Sequence, residues 1–117
     1  MKAVIILPTY NERENITAML TIIDDVVVTI KGYIFEVLVV DDNSPDGTQH
    51  EVVAFQKKHP NVFLLTGEKE GLGKALLRGM THAIEERHAD IVVQIDADLS
   101  HDPRVLPKFF EKIHEGA

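Results

Sequence analysis

The sequence predicts an α/β fold with four βα units and a mainly parallel sheet. Three observations predict it. Short β-branched apolar runs alternate with amphipathic helical patterns along the chain. The runs are almost continuously apolar, as strands covered on both faces are. The polar, acidic and glycine-rich residues gather just after the runs, at the carboxyl edge where sheets of this kind bind ligands.

The first run spans residues 3–7, and Met1 and Lys2 lead straight into it, so no signal peptide is expected. Asn11 then stands as a candidate N-cap with Glu14 three residues on, and Ile16, Met19, Leu20, Ile23 and Val27 recur at helical spacing. The second run spans 36–40. Thr48 and Glu51 repeat the capping arrangement ahead of Val52 and Phe55. The third run, 62–65, precedes a helical pattern from about 73 to 87, with Leu76, Met80, Ala83 and Ile84 expected on its inner face. The fourth run, 91–95, leads to a helix opened by Pro103, a good first-turn residue, and closed by Gly116. Parallel strands joined by right-handed crossovers follow from this alternation.

Composition narrows the function. At 117 residues the chain is expected to be a single domain. Asp and Glu outnumber Lys and Arg 19 to 12, a net charge of −7, so the basic footprint of a nucleic-acid partner is absent. There is no cysteine, which excludes a disulfide scaffold, a thiolate zinc site and a cysteine nucleophile; a reducing, cytoplasmic setting is expected. The apolar runs are far shorter than the roughly 20 residues needed to span a bilayer.

Four clusters follow the strands: 7–12, 41–48, 67–74 and 96–103. Asp96 and Asp98 are two apart at a strand end, so their carboxylates share a side. Like charges so placed repel unless a cation lies between them, and oxygen ligands suit Mg²⁺ or Mn²⁺. The alternative is a solvated loop in which Asp98 or Ser100 caps the next helix; His101 and Asp102 are further candidate ligands. Asp41 and Asp42 are adjacent, so one can face a ligand while the other holds loop amides. Tyr10 can stack on a base or lie on the surface, and Glu12 can accept from a ribose or sit in a first helical turn. Gly71-Leu72-Gly73-Lys74 is not a Walker loop, because Glu68 and Ala75 stand where glycine and Ser or Thr are required. Lys74 and Arg78, one helical turn apart, can face a phosphate, with a solvated helix face as the default expectation.

Together, Leu7-Pro8-Thr9-Tyr10-Asn11-Glu12, Val39-Val40-Asp41-Asp42-Asn43-Ser44-Pro45-Asp46-Gly47-Thr48, Gly71-Leu72-Gly73 and Asp96-Ala97-Asp98-Leu99-Ser100-His101 make the chain resemble the dolichyl-phosphate mannose synthase branch of the inverting family-2 glycosyltransferases, which have the GT-A fold. The resemblance implies that Pro8, Tyr10, Glu12, Val40 and Asp42 bind the nucleoside of a sugar nucleotide, typically GDP-mannose. It implies that Asp96 and Asp98 hold Mg²⁺ or Mn²⁺ on the donor diphosphate, with Ala97 lining the donor site. Ser100 stands where some relatives carry a glutamine ligand. The implied acceptor is a polyprenyl or dolichyl phosphate, which places the chain peripherally at the cytoplasmic face of a membrane. Relatives of this kind continue well past the Asp-x-Asp segment. The chain is therefore expected to be the N-terminal nucleotide-sugar-binding half of a longer enzyme, transferring little sugar by itself. The competing classes are a non-catalytic binding or assembly module and a receiver-like signalling domain. The latter would need its acidic pair after the first strand, where Pro8-Thr9-Tyr10 stands.

Overall fold

The computed structural model describes residues 1–97 and 102–114. Four strands, β1 (Lys2–Thr9), β2 (Ile34–Asp41), β3 (Val62–Thr66) and β4 (Ile91–Gln94), form one sheet in the order β3-β2-β1-β4. Every pairing is parallel, and β1 is in register with β2 from Lys2↔Ile34 to Thr9↔Asp41. The helices are α1 (Arg13–Val27), α2 (Thr48–Gln56), α3 (Leu72–Glu85) and α4 (Leu106–His114), the last preceded by a 3₁₀ turn at Pro103–Val105. The predicted α/β alternation is thus observed, and Gly116 lies outside the described residues.

The handedness rule explains which helix goes where. The chain steps outward from β1 to β2 to β3, then returns past β1 to β4. Right-handed crossovers in opposite directions place their helices on opposite faces. Ala3, Ile5, Leu7, Val37 and Val39 accordingly point into a core with Ile16, Met19, Leu20 and Ile23 of α1, Val52 of α2, and Leu106 and Phe110 from the C-terminal helix. Val4, Ile6, Leu38 and Val40 face α3 through Ala75 and Ala83. The reversal makes the gap between β1 and β4 the switch point, where ligand crevices form. Among the described residues, no helix is long and apolar enough to cross a membrane.

The face that α3 turns to the sheet corrects the expectation. Ala75, Gly79 and Ala83 are buried, with Leu76 only partly so, whereas Met80 and Ile84 are 45% and 54% exposed. The helix lies too close for larger residues: a Cβ on Gly79 would come within 2.8 Å of Val40 Cγ2 and 3.2 Å of Ile6 Cγ2. Bulky strand residues therefore meet a small-residue helix face, and the larger apolar residues of α3 turn outward.

Helix capping is also corrected. Asn11 has φ +56 and stands outside α1, whose N-cap is Glu12 with no capping bond from its side chain. The β2–α2 loop serves that end instead. Ser44 Oγ accepts from the Asn11 amide (2.8 Å), Thr48 Oγ1 from the Glu12 amide (3.1 Å) and Asp46 Oδ2 from the Arg13 amide (3.1 Å). The α2 N-cap is Gly47 at φ +95, a conformation glycine adopts without steric cost. Asp46 Oδ1 accepts from the Thr48 amide and hydroxyl, and these bonds, the hydroxyl's above all, hold the Asp46 carboxyl below the ordinary carboxylate range.

At the opposite edge, Glu36 ties three elements together. It accepts from Arg87 Nε at 2.8 Å and lies 3.3 Å from Lys2 Nζ, while Arg87 also stacks over the Phe63 ring. Burial pushes the Glu36 carboxyl up, but hydrogen bonds and charge from Arg87 and Lys2 outweigh it and leave it below the ordinary range. A carboxyl depressed by folding stabilises above its unfolded value, about 4.3, and loses that contribution as pH falls through the folded value. In urea titrations at pH 7, Glu36→Gln is expected to lower stability by about 1 kcal/mol. That difference should shrink once the pH drops below about 4; a difference constant from pH 7 to pH 3 would refute the assignment.

Candidate functional site

The carboxyl edge of the sheet carries the site. A cavity of ≈ 290 Å³ opens there, lined by Pro8, Thr9 and Tyr10 from the end of β1, Asp42 from the end of β2, and Lys69, Gly71, Leu72 and Ala75 around the start of α3. Larger clefts of ≈ 540 Å³ beside Leu77 and His82 and ≈ 330 Å³ beside Tyr33 and Phe110 lie along helix flanks, and neither gathers residues from several strand ends. The cavity volume suits one moiety of a ligand better than a whole drug-sized molecule, since such sites hold roughly 300–1,000 Å³.

The two adjacent aspartates separate as strand geometry requires. Asp41 is fully buried and accepts from the hydroxyls of Thr9 (2.7 Å) and Ser44 (2.6 Å), the Ser44 amide (2.8 Å) and Gln49 Nε2 (2.8 Å). It is the organiser of the β2–α2 loop. Asp42 is 7% exposed, lines the cavity, and donates its own amide to the Thr9 carbonyl. An ionised carboxylate is an acceptor only, so it meets a ligand that offers N–H or O–H groups.

Tyr10 stands at the rim, 37% exposed, with Lys69 Nζ 3.9 Å from its ring centroid. The rim thus combines a π-face with a cation, both suited to a base and its phosphates. Glu12 sits one residue before α1, where Asn15 Nδ2 donates to its Oε2 at 3.3 Å. Val40 and Ala97 are buried at 0% and 2% in the two cores, so any contact from them to a ligand is left to their backbone atoms.

Asp96 follows the last strand, beside the switch point, partly buried, with Gln94 Nε2 donating to its Oδ1 at 2.6 Å. Its hard oxygen donors fit Mg²⁺ or Mn²⁺, which commonly take one or two protein carboxylates and complete their shell with phosphate oxygens and water. Asp98, Ser100 and His101 lie outside the described residues, so the pairing of Asp96 with Asp98 rests on their spacing. Asp102 caps the 3₁₀ turn and pairs with Arg104 at 2.9 Å, a structural task.

Sequence reasoning missed Thr9 and Lys69, and singled out Arg78 without its partner. Lys69 lay within a recognised polar cluster but carried no signal of its contact with Tyr10. Arg78, expected on a solvated face, instead turns back to Asp42 at 3.4 Å, while Lys74 pairs with Glu70 at 3.6 Å on the surface.

Residues 4–117 match the Glycosyl transferase family 2 domain. A dolichol-phosphate mannosyltransferase of Pyrococcus furiosus is 38% identical over 117 residues, all of this chain and 31% of that protein. An undecaprenyl-phosphate mannosyltransferase of Micrococcus luteus is 39% identical over 114 residues, 97% of this chain and 44% of that one. The crystal structure of a Pyrobaculum calidifontis mannosyltransferase with GDP-Man and Mn²⁺ superposes with a TM-score of 0.64 at 35% identity, over 82% of this chain and 27% of that chain. The chain therefore spans less than half the length of these relatives, and its architecture is that of GT-A enzymes.

Proposed function

The chain belongs to glycosyl transferase family 2, and from that premise we propose that it supplies the donor-binding side of an inverting mannosyltransferase that uses GDP-mannose and a polyprenyl phosphate. The observation that carries the reading is the cavity at the strand ends, where acceptor-only Asp42 lies beside Pro8 and Tyr10. The relatives' names support mannose and a polyprenyl phosphate, and the neighbour crystallised with GDP-Man and Mn²⁺ supports the donor and the metal.

In this reading Tyr10 and Pro8 cover the base, Asp42 accepts from its N–H edge, and Glu12 accepts from the ribose. Asp96 and Asp98 hold a divalent cation, Mg²⁺ or Mn²⁺, whose Lewis acidity when bound neutralises charge on the departing diphosphate. An oxygen of the acceptor phosphate forms the new bond to the sugar's anomeric carbon as the bond to the diphosphate oxygen breaks on the opposite face. That acceptor oxygen is already anionic near pH 7, so alignment matters more than a general base. A polyprenyl acceptor resides in a membrane, so this reading puts the reaction at a membrane surface, with the cytoplasmic face as the proposed side.

Calorimetric titration with GDP, UDP, ADP and GDP-mannose, each with and without Mn²⁺, tests this. GDP and GDP-mannose are expected to bind more tightly with Mn²⁺ and at least about tenfold more tightly than ADP. Equal affinity for all the nucleotides would reject the base assignment. Binding indifferent to Mn²⁺ would reject the metal assignment.

A further inference from the structure

Arg78 and Gly67 form a contact that the donor-binding reading does not use. Both Nη1 and Nη2 of Arg78 lie 3.4 Å from Asp42 Oδ1, and Nη2 donates to the Glu68 carbonyl at 3.3 Å. The pair is largely shielded, with side-chain exposures of 25% for Arg78 and 9% for Asp42. The guanidinium also occupies the space above Gly67, where an added Cβ would come within 2.4 Å of Arg78 Cζ. Gly67 has no positive φ, so its backbone accepts alanine; an alanine there would have to push the flexible end of the arginine aside. One side chain thus joins three things: the carboxylate in the cavity wall, the carbonyl of the β3–α3 loop, and the glycine beneath. That same loop carries Lys69 to the Tyr10 ring.

We propose that Arg78 is a positioning residue for base selectivity, holding the Asp42 carboxylate as an aimed acceptor, with Gly67 glycine so that the guanidinium can reach it. The inference rests on Asp42 as the base contact. The chemistry is that of a donor-reading acceptor. Guanine presents a ring N–H and an amino group on one edge, and uracil presents a ring N–H. Adenine places a ring acceptor beside its amino group, and a carboxylate fixed by a cation repels that lone pair. Without Arg78 the carboxylate can turn away, and discrimination between guanine and adenine falls. Arg78 contacts no ligand in this scheme; it acts through Asp42.

Calorimetry with GDP and ADP in the presence of Mn²⁺ tests it on the full chain, using Arg78→Met, Arg78→Lys, Gly67→Ala, the Gly67→Ala/Arg78→Met double variant and Asp42→Asn. Arg78→Met is expected to weaken GDP binding about tenfold while leaving ADP nearly unchanged, a loss typical of one hydrogen bond to a charged group. Arg78→Lys should restore part of the selectivity. Gly67→Ala keeps the charge but displaces the guanidinium, so it should cost GDP affinity in the parent and nothing further in Arg78→Met. A merely structural role would lower affinity for both nucleotides together, and the two substitutions would then multiply. Unchanged GDP/ADP selectivity in Arg78→Met, or multiplicative losses in the double variant, overturns the proposal; should Arg78→Met fail to fold, Gly67→Ala and Arg78→Lys decide it. If Asp42→Asn weakens GDP and the Arg78 and Gly67 variants do not, only this inference falls. If Asp42→Asn also binds GDP as the parent does, the base contact itself falls and takes the inference with it.

Discussion

Asp41→Ala is expected to lower the unfolding free energy by about 3 kcal/mol, at the upper end of single-substitution effects. Asp41 is fully buried and its carboxylate takes four hydrogen bonds, from Thr9, from Ser44 twice and from Gln49. Alanine strands the Thr9 hydroxyl, itself only 4% exposed, and the Ser44 amide without acceptors. An orphaned buried donor costs about 1–3 kcal/mol, so the buried Thr9 hydroxyl together with the half-buried Ser44 amide accounts for the estimate. The damage should spread, because Ser44 and Asp46 in the same loop accept from the amides at the start of α1. Thermal melting should show a loss on the order of 10–20 °C. Asp41→Asn keeps the shape but exchanges one acceptor oxygen for a donor, and should fall between parent and alanine. A melting point within 2 °C or so of the parent in Asp41→Ala would show that the carboxylate does not hold the loop.

The second large effect is on ligand binding. Asp96→Ala is expected to abolish the enhancement of GDP binding by Mn²⁺, a loss of about tenfold or more in affinity at saturating metal, with little change in melting temperature. The stability expectation follows from position: Asp96 is partly buried at the end of the sheet and sits outside both apolar cores. Asp98→Ala should behave alike if both carboxylates share the cation. Asp96→Asn preserves the contact with Gln94 yet removes the charge, so it separates loss of charge from loss of local packing. Metal-enhanced binding that survives in both alanine variants would remove the pair from the metal site.

Much of this was legible in one dimension. Alternating runs announced four βα units, and the inner face of α1 was readable residue by residue, because Ile16, Met19, Leu20, Ile23 and Val27 are its only strongly periodic apolar set. The adjacency of Asp41 and Asp42 required them to diverge, but local periodicity says nothing about which side holds the cavity. The α3 face was misread for a physical reason. Its large residues and its small residues lie on different sides, and amphipathic patterning favours the large ones, whereas Ile6 and Val40 leave room only for Gly79. The helix caps were misread because the amides at the start of α1 are met by Ser44, Asp46 and Thr48, more than 30 residues away in the chain.

The sequence by itself determined what depends on local periodicity and residue chemistry: the α/β class, the acidic and glycine-rich strand ends, and the kinship those motifs carry. Tertiary structure alone decided what depends on strand order and the distance between layers. The order β3-β2-β1-β4 brings the ends of β1 and β4 together at the switch point. Close packing of α3 carries Arg78 to Asp42 over the bare backbone of Gly67. Such contacts join residues tens of positions apart, and their energies exist only once the sheet has closed the distance.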